Sequence, residues 1–161
     1  MSTLFVDTIN EKTTGNGIYM PGHILQVVQA TSTSDTQATT DDVWIDVSPT
    51  VTITPKSTSS KILITHTAGV MTYYDTRDLF YRILRGTTEL IQVGRLYVLN
   101  GSGEWNAHMM SIEYLDSPST TSATTYKFQF QFTGSAGQIR HNSATGSFSP
   151  TAITMAKEVG G

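Results

Sequence analysis

Apolar and polar residues alternate with period two through most of this chain. The clearest case is Tyr126, Phe128, Phe130 and Phe132, which interleave with Lys127, Gln129, Gln131 and Thr133. Successive side chains of a strand point to opposite faces, so this pattern predicts a strand buried on one side. Residues 23–30 read the same way, with Leu25 and Val27 on one face and Ile24 and Val28 on the other. Val43, Ile45 and Val47 alternate with Trp44 and Asp46, and Pro49 and Pro55 bracket a separate short strand at 51–53. Residues 61–70 place Ile62, Ile64 and Ala68 on one side. Strands at 79–85 and 89–99 join through Gly86-Thr87-Thr88 as a hairpin. Residues 104–115 alternate through Met110, Ile112 and Tyr114, and 151–159 put Ile153, Met155 and Val159 on one face. The polar run 31–40 and the small-residue run 134–149 read as loops.

No segment keeps a helical period over ten or more residues, which excludes a coiled coil as the oligomerisation device. Eight or nine short strands separated by turn signals predict an all-β, antiparallel two-sheet sandwich. A jelly roll suits the strand count, and the Cys–Trp–Cys framework of an immunoglobulin domain is missing.

Residues 1–22 break the pattern. Leu4, Val6, Ile9, Ile18 and Met20 alternate loosely with Asp7, Thr8, Asn10, Glu11 and Lys12 around Gly15-Asn16-Gly17, and Pro21-Gly22 ends the run. This extended arm is too thin for a core of its own. It divides the chain into an arm, 1–22, and a sandwich head, 23–161. Burying the arm requires a second copy of the chain or a larger assembly, so those five apolar residues are the candidate anchoring set.

Composition sharpens the reading. The chain has 161 residues, enough for one domain with an appendage. Charged residues make up 14%, and Ser with Thr fill about a quarter, a polar but uncharged composition that favours strands. A net charge of −3, with no run of Lys or Arg, argues against nucleic acid as a partner. No stretch is long enough to span a bilayer, and the N-terminus lacks the basic and apolar regions of a secretory signal. Cysteine is absent, so any durability outside a cell has to come from shared burial between subunits.

Candidate chemistry is sparse. His23, His66, His108 and His141 are far apart and form no metal-ligand spacing. His66, between Ile64 and Ala68, reads as a packed histidine rather than a ligand; three copies meeting on a threefold axis is the remaining route to a metal site. Asp41-Asp42 and Asp75-Thr76-Arg77-Asp78 read as solvated loop charge. Ser102 lacks the strand–turn–helix setting of a nucleophile elbow. No catalytic residue, metal or cofactor is expected. Tyr73, Tyr74 and Trp105 stand at strand–loop junctions, where aromatic rings can stack on sugars; padding of the sandwich rim or a subunit contact explains them equally well.

The stretch Ser2-Thr3-Leu4-Phe5-Val6-Asp7-Thr8-Ile9-Asn10-Glu11-Lys12-Thr13-Thr14-Gly15-Asn16-Gly17-Ile18 resembles a short repeat of tail fibres and related structural proteins of tailed bacteriophages. The join Met20-Pro21-Gly22-His23-Ile24-Leu25-Gln26-Val27-Val28 is similar to theirs. So are the blocks 53–64 and 151–160, while the middle of the chain has no counterpart. The resemblance implies a virion structural protein, a homotrimer with a head of the tumour-necrosis-factor-like type, and no catalytic residues. It implies other virion proteins, of tail or capsid, as partners of the arm. A single arm repeat fits a short fibre or fibre tip, with distal loops that contact a host cell-surface glycan. A trimeric capsid decoration protein and a carbohydrate-binding jelly-roll module are the alternatives.

Overall fold

The structure, a computed structural model, describes residues 8, 10, 22–39, 42–73, 77–98, 105–133, 138–142 and 150–161. Ten strands and no helix are present among them. In chain order they are β1 (Ile24–Ser32), β2 (Thr36–Ala38), β3 (Ile45–Ile53), β4 (Lys61–Tyr73) and β5 (Arg77–Arg85), followed by β6 (Thr88–Val98), β7 (Trp105–Asp116), β8 (Thr124–Thr133), β9 (Gln138–His141) and β10 (Ala152–Val159). All pairings are antiparallel.

Sheet A runs β1-β10-β4-β7, and the short pair β9-β2 continues from the same edge of β4 as β10. Sheet B runs β3-β8-β5-β6. With β2 and β9 set aside, the chain crosses between sheets at every step except the β5–β6 hairpin, the connection scheme of an eight-stranded jelly roll. The hairpin turns at Gly86, whose φ of +58° is a left-handed conformation that glycine adopts without a Cβ clash.

The core lies between the sheets. Tyr126, Phe128, Phe130 and Phe132 of β8 are fully buried and meet Ile62, Ile64 and Val70 of β4, Ile83 of β5 and Ile139 of β9. Removing such side chains from water stabilises the fold by about 1.5–3 kcal/mol each, the main stabilising contribution in a chain without disulfides.

Two expectations change, and in two further strands the structure shows which face is buried. Residues 36–38 and 138–141, read as loop, form the β2–β9 pair, because each is a short polar strand with no hydrophobic alternation to announce it. Val47 and Val51 belong to one strand, β3, which passes through the cis Ser48-Pro49 bond with an irregular register. In β10 the residues Ile153, Met155 and Val159 share one face as expected, and that face points away from the core, while Ala152, Thr154, Ala156 and Glu158 are buried. In β1, Val27 and Val28 stand on opposite faces as expected, with Val28 against the core and Val27 outside, and a bulge lies between Ile24 and Gln26.

Candidate assembly surface

The outward turn of β10 makes one side of the molecule unusual. Cross-strand register aligns three rows on the outer face of sheet A: Val27–Lys157–Leu63–Leu115, then Gln29–Met155–Thr65–Glu113, then Thr31–Ile153–Thr67–Ser111. Gly69 and Met109 continue the third row's direction along β4 and β7. Met109 is 78% exposed, Val27 53%, Leu115 46% and Ile153 38%. Lys157 and Glu113 are the only charged residues in these rows, and they have opposite sign. Five of the twelve row positions are apolar, set among Thr, Ser and Gln, and exposed apolar groups gathered on one face are a feature of interaction surfaces.

The outer face of sheet B is built differently. Asp46 of β3 receives hydrogen bonds from Lys127 Nζ at 3.0 Å and from Gln129 Nε2. Gln129 Oε1 accepts from Arg82 Nε at 2.7 Å, and Arg82 Nη1 donates to Glu89 at 2.8 Å. The Arg82 guanidinium also lies 4.2 Å over the Trp44 ring. Burial works to raise the Asp46 pKa, but the hydrogen bonds from Gln129 and Lys127 and the nearby positive charges hold it below the usual value. This face is satisfied within one subunit.

Between the sheets, β10's inward polar residues serve a buried histidine pair. His66 of β4 and His141 of β9 face each other, with Nε2 to Nε2 at 3.0 Å, and both are inaccessible to solvent. His66 Nδ1 lies 2.8 Å from Thr154 Oγ1, which donates to the Pro49 carbonyl at 2.9 Å. Donor capacity sets the tautomers. Thr154 spends its one proton on Pro49, so it accepts from His66 Nδ1–H. Neutral His66 Nε2 is then an acceptor and takes the proton of His141 Nε2–H. His141 Nδ1 is left bare, with no partner among the described residues. The His66 ring stacks on Phe128 at 4.2 Å. Burial pulls the His66 pKa down to about 3, with the charge of His141 adding to it, and burial pulls His141 to about 4. Both are neutral structural groups. Their place inside the sandwich rules out His66 as one of three residues meeting on a surface threefold axis.

The candidate residues from the sequence fall in three groups. Leu4, Val6, Ile9, Ile18, Met20 and Tyr74 lie outside the described residues, and Tyr73 is described only as the last residue of β4. Trp105 opens β7, half-buried, with the Arg140 guanidinium 5.6 Å over its ring. Arg140 also pairs with Asp35 at 3.4 Å and donates to Gln37 at 3.2 Å, so Trp105 is drawn into a contact with the β2–β9 pair. The outer rows of sheet A were missed by the sequence reading. The available signal was the apolar set of β10, which alternates correctly but faces outward. No group of three or more potential metal-ligating side chains occurs among the described residues.

No protein-family model and no curated protein matches the chain. Among solved structures, a chain of infectious bursal disease virus Gt strain aligns with a TM-score of 0.48 at 13% identity, covering 97% of this chain and 42% of that one. A chain of the Gx strain aligns at 0.46 and 13% identity, covering 83% and 38%. A Bacillus endospore appendage, described as a disulfide-linked pilus, aligns at 0.41 and 10% identity, covering 94% and 99%. The chain thus spans about two-fifths of the bursal virus chains it matches. None of these three is a phage tail protein.

Proposed function

We propose that this protein is a non-enzymatic virion structural subunit: a homotrimeric short fibre or fibre tip, joined to the particle by residues 1–22. The observation that carries the reading is the outer face of sheet A. Its strands have turned Val27, Leu63, Met155, Ile153 and Met109 away from the core and placed almost no charge among them. A face of that kind is stabilised when another subunit covers it. The number three, the attachment role and the particle come from the resemblance of the arm and the closing strand to tail-fibre proteins. In this reading the head's free loops contact the host surface, and no step requires a cofactor.

Light scattering on the purified chain tests the shared premise. A trimer is expected, and a monomer at micromolar concentration overturns it. Removing residues 1–22 is expected to leave a folded head that no longer joins particles; normal incorporation of such heads overturns the anchor. Free trimer that blocks adsorption supports the fibre position. Shells that lose stability when the protein is missing, with adsorption unaffected, move it to the capsid surface.

A further inference from the structure

The two sheets part along one side of the sandwich. There β6 is hydrogen-bonded to β5 alone and β7 to β4 alone among the described residues, so each presents an unpaired edge. Between them opens a groove of about 360 Å³, lined by Leu79 and Tyr81 of β5, Val93 and Gly94 of β6, and Met109 and Met110 of β7. Ser111 of β7 completes the lining, and no charged residue is among the described residues that line it. Two details set it apart from ordinary surface. Tyr81 is only 4% exposed, and its buried hydroxyl has no hydrogen-bond partner. Gly94 pairs with Phe80, and a Cβ there would collide with the Phe80 ring on the outer face of sheet B, so at this position only backbone faces the groove.

The apolar segment of residues 1–21 joins the head on the opposite side. Gly22 N–H donates to Gly160 O at 2.7 Å and Gly160 N–H to His23 O at 2.8 Å, which fixes the start of the head beside the outer strand β1. In the order β1-β10-β4-β7 that exit stands three strand spacings, about 14 Å, from β7. The groove centre also lies further along the strands, at Met109 opposite Gly69, whereas the exit lies near the end of β4 at Lys61. Donor and acceptor on opposite edges describe a head-to-tail contact, the kind that closes into a ring.

We infer that the β6–β7 groove receives the N-terminal arm of a neighbouring copy, within residues 1–21. This rests on the assembly reading above and names the surface that reading lacks. The chemistry matches on both sides. The segment Leu4-Phe5-Val6-Asp7-Thr8-Ile9 is mostly apolar and offers side chains to Leu79, Val93 and Met110. Its backbone offers hydrogen-bonding groups to the unpaired strand edges, as in other cases of strand addition to a free edge. Met109 belongs both to the groove and to the exposed face of sheet A, so the two contacts are continuous.

The absence of native cysteine allows a direct test. Two versions of the full chain are co-expressed. One carries Leu4→Cys, Val6→Cys or Ile9→Cys, the other Met109→Cys. At least one arm position is expected to form a disulfide-linked heterodimer, at least about tenfold faster than with Thr125→Cys on the exposed face of sheet B, because docking raises the effective concentration. Val93→Asp, with strand content unchanged, is expected to expose residues 1–21 to protease cleavage severalfold faster. Equal rates with the Thr125→Cys control overturn the inference. So does a double variant Leu4→Cys/Met109→Cys that closes only within one chain. Light scattering on the same samples separates the two levels: an oligomer without the cross-link overturns the groove alone, while a monomer overturns the assembly reading beneath it.

Discussion

The two outer faces of the sandwich use strands of similar length and the same alternation, yet they treat solvent in opposite ways. On sheet B, Asp46, Lys127, Gln129, Arg82 and Glu89 form a connected set of hydrogen bonds and ion pairs that one subunit completes by itself. On sheet A the corresponding rows hold Val27, Leu63, Leu115, Met155 and Ile153, with Lys157 and Glu113 unconnected to each other by any ion pair among the described residues. Period two makes a strand two-faced but does not say which face is covered. In β8 the apolar face lies inside and the polar face is tied down by neighbours. In β10 the apolar face lies outside, and the inward Thr154 and Glu158 are held by hydrogen bonds: to buried His66 and Pro49 for the first, and from Gln26 and the Lys56 amide nearer the surface for the second. A sheet turns its oily side outward at low cost only when something else covers it.

The largest effect expected is on the core that both faces share. His66 and His141 are neutral when folded, with pKa values lowered from 6.5 to about 3 and about 4. Below pH 6.5 the unfolded chain binds protons that the folded chain refuses, so their stabilising contribution is full above 6.5 and is lost as pH falls toward those values. The groups facing the pair are few. β10 brings Thr154, and Glu158 two rows away; β7 brings His108; β5 brings Tyr81; β8 brings Phe128 and Phe130. None is an acid within hydrogen-bond reach that would hold an imidazolium. Unfolding free energy from denaturant titrations should fall by up to about 1.4 kcal/mol per pH unit for each histidine between pH 6.5 and 4. A flat profile from pH 6.5 to 5 would contradict the neutral pair. Acid should remove both faces together, which no single-face substitution can do.

Next in size is Ile153→Asp in the third row of sheet A. It should weaken association by about 2 kcal/mol or more, as loss of a central interface side chain does, and shift the light-scattering mass toward monomer with strand content unchanged. Its control is Thr52→Asp on the outer face of sheet B, where the exposed Thr52 hydroxyl is hydrogen-bonded to that of Thr125. If both substitutions dissociate the protein, the difference between the faces is not one of assembly.

Thr154→Val keeps shape and removes a hydroxyl that both accepts from His66 and donates to Pro49. Leaving buried partners unsatisfied costs about 1–3 kcal/mol, readable as a lower denaturation midpoint without loss of oligomer. Smallest is Asp46→Ala. Lys127 and Gln129 lose their shared acceptor, but the Asp46 side chain is 61% exposed, so the loss should be about 0.5–1 kcal/mol and should shrink in salt. An effect as large as that of Thr154→Val would mean that the sheet B network is more than a solvated finish.

Much of the fold was legible because burial on β8, β4 and β5 follows the simplest rule, apolar inward. Tyr126, Phe128, Phe130 and Phe132 needed only their spacing to be placed in the core, and all four are there. The short strands β2 and β9 were not legible. Gln37 and Arg140 pair because β4 extends past β10 and leaves an edge to cover, a circumstance of distant chain segments. The site was hardly legible at all. His66 and His141 stand 75 residues apart in sequence, and nothing in either neighbourhood announces the other. Trp105 was correctly placed at a strand start, but the Arg140 over its ring comes from the other end of the chain.

By itself the sequence determined that this is an all-β chain of short antiparallel strands without disulfide support, because alternation and turn residues are local properties. It also showed apolar residues scattered through 1–22 among polar ones. The tertiary structure decided which side of each strand became interior. That choice depends on the residues opposite: with Phe128 stacked on His66 and Thr154 held by Pro49, β10 could bury its polar side and leave Ile153 and Met155 to the surface. A strand's two faces are equivalent until a second sheet closes over one of them, so only the packed sandwich could show where its exposed apolar face lies.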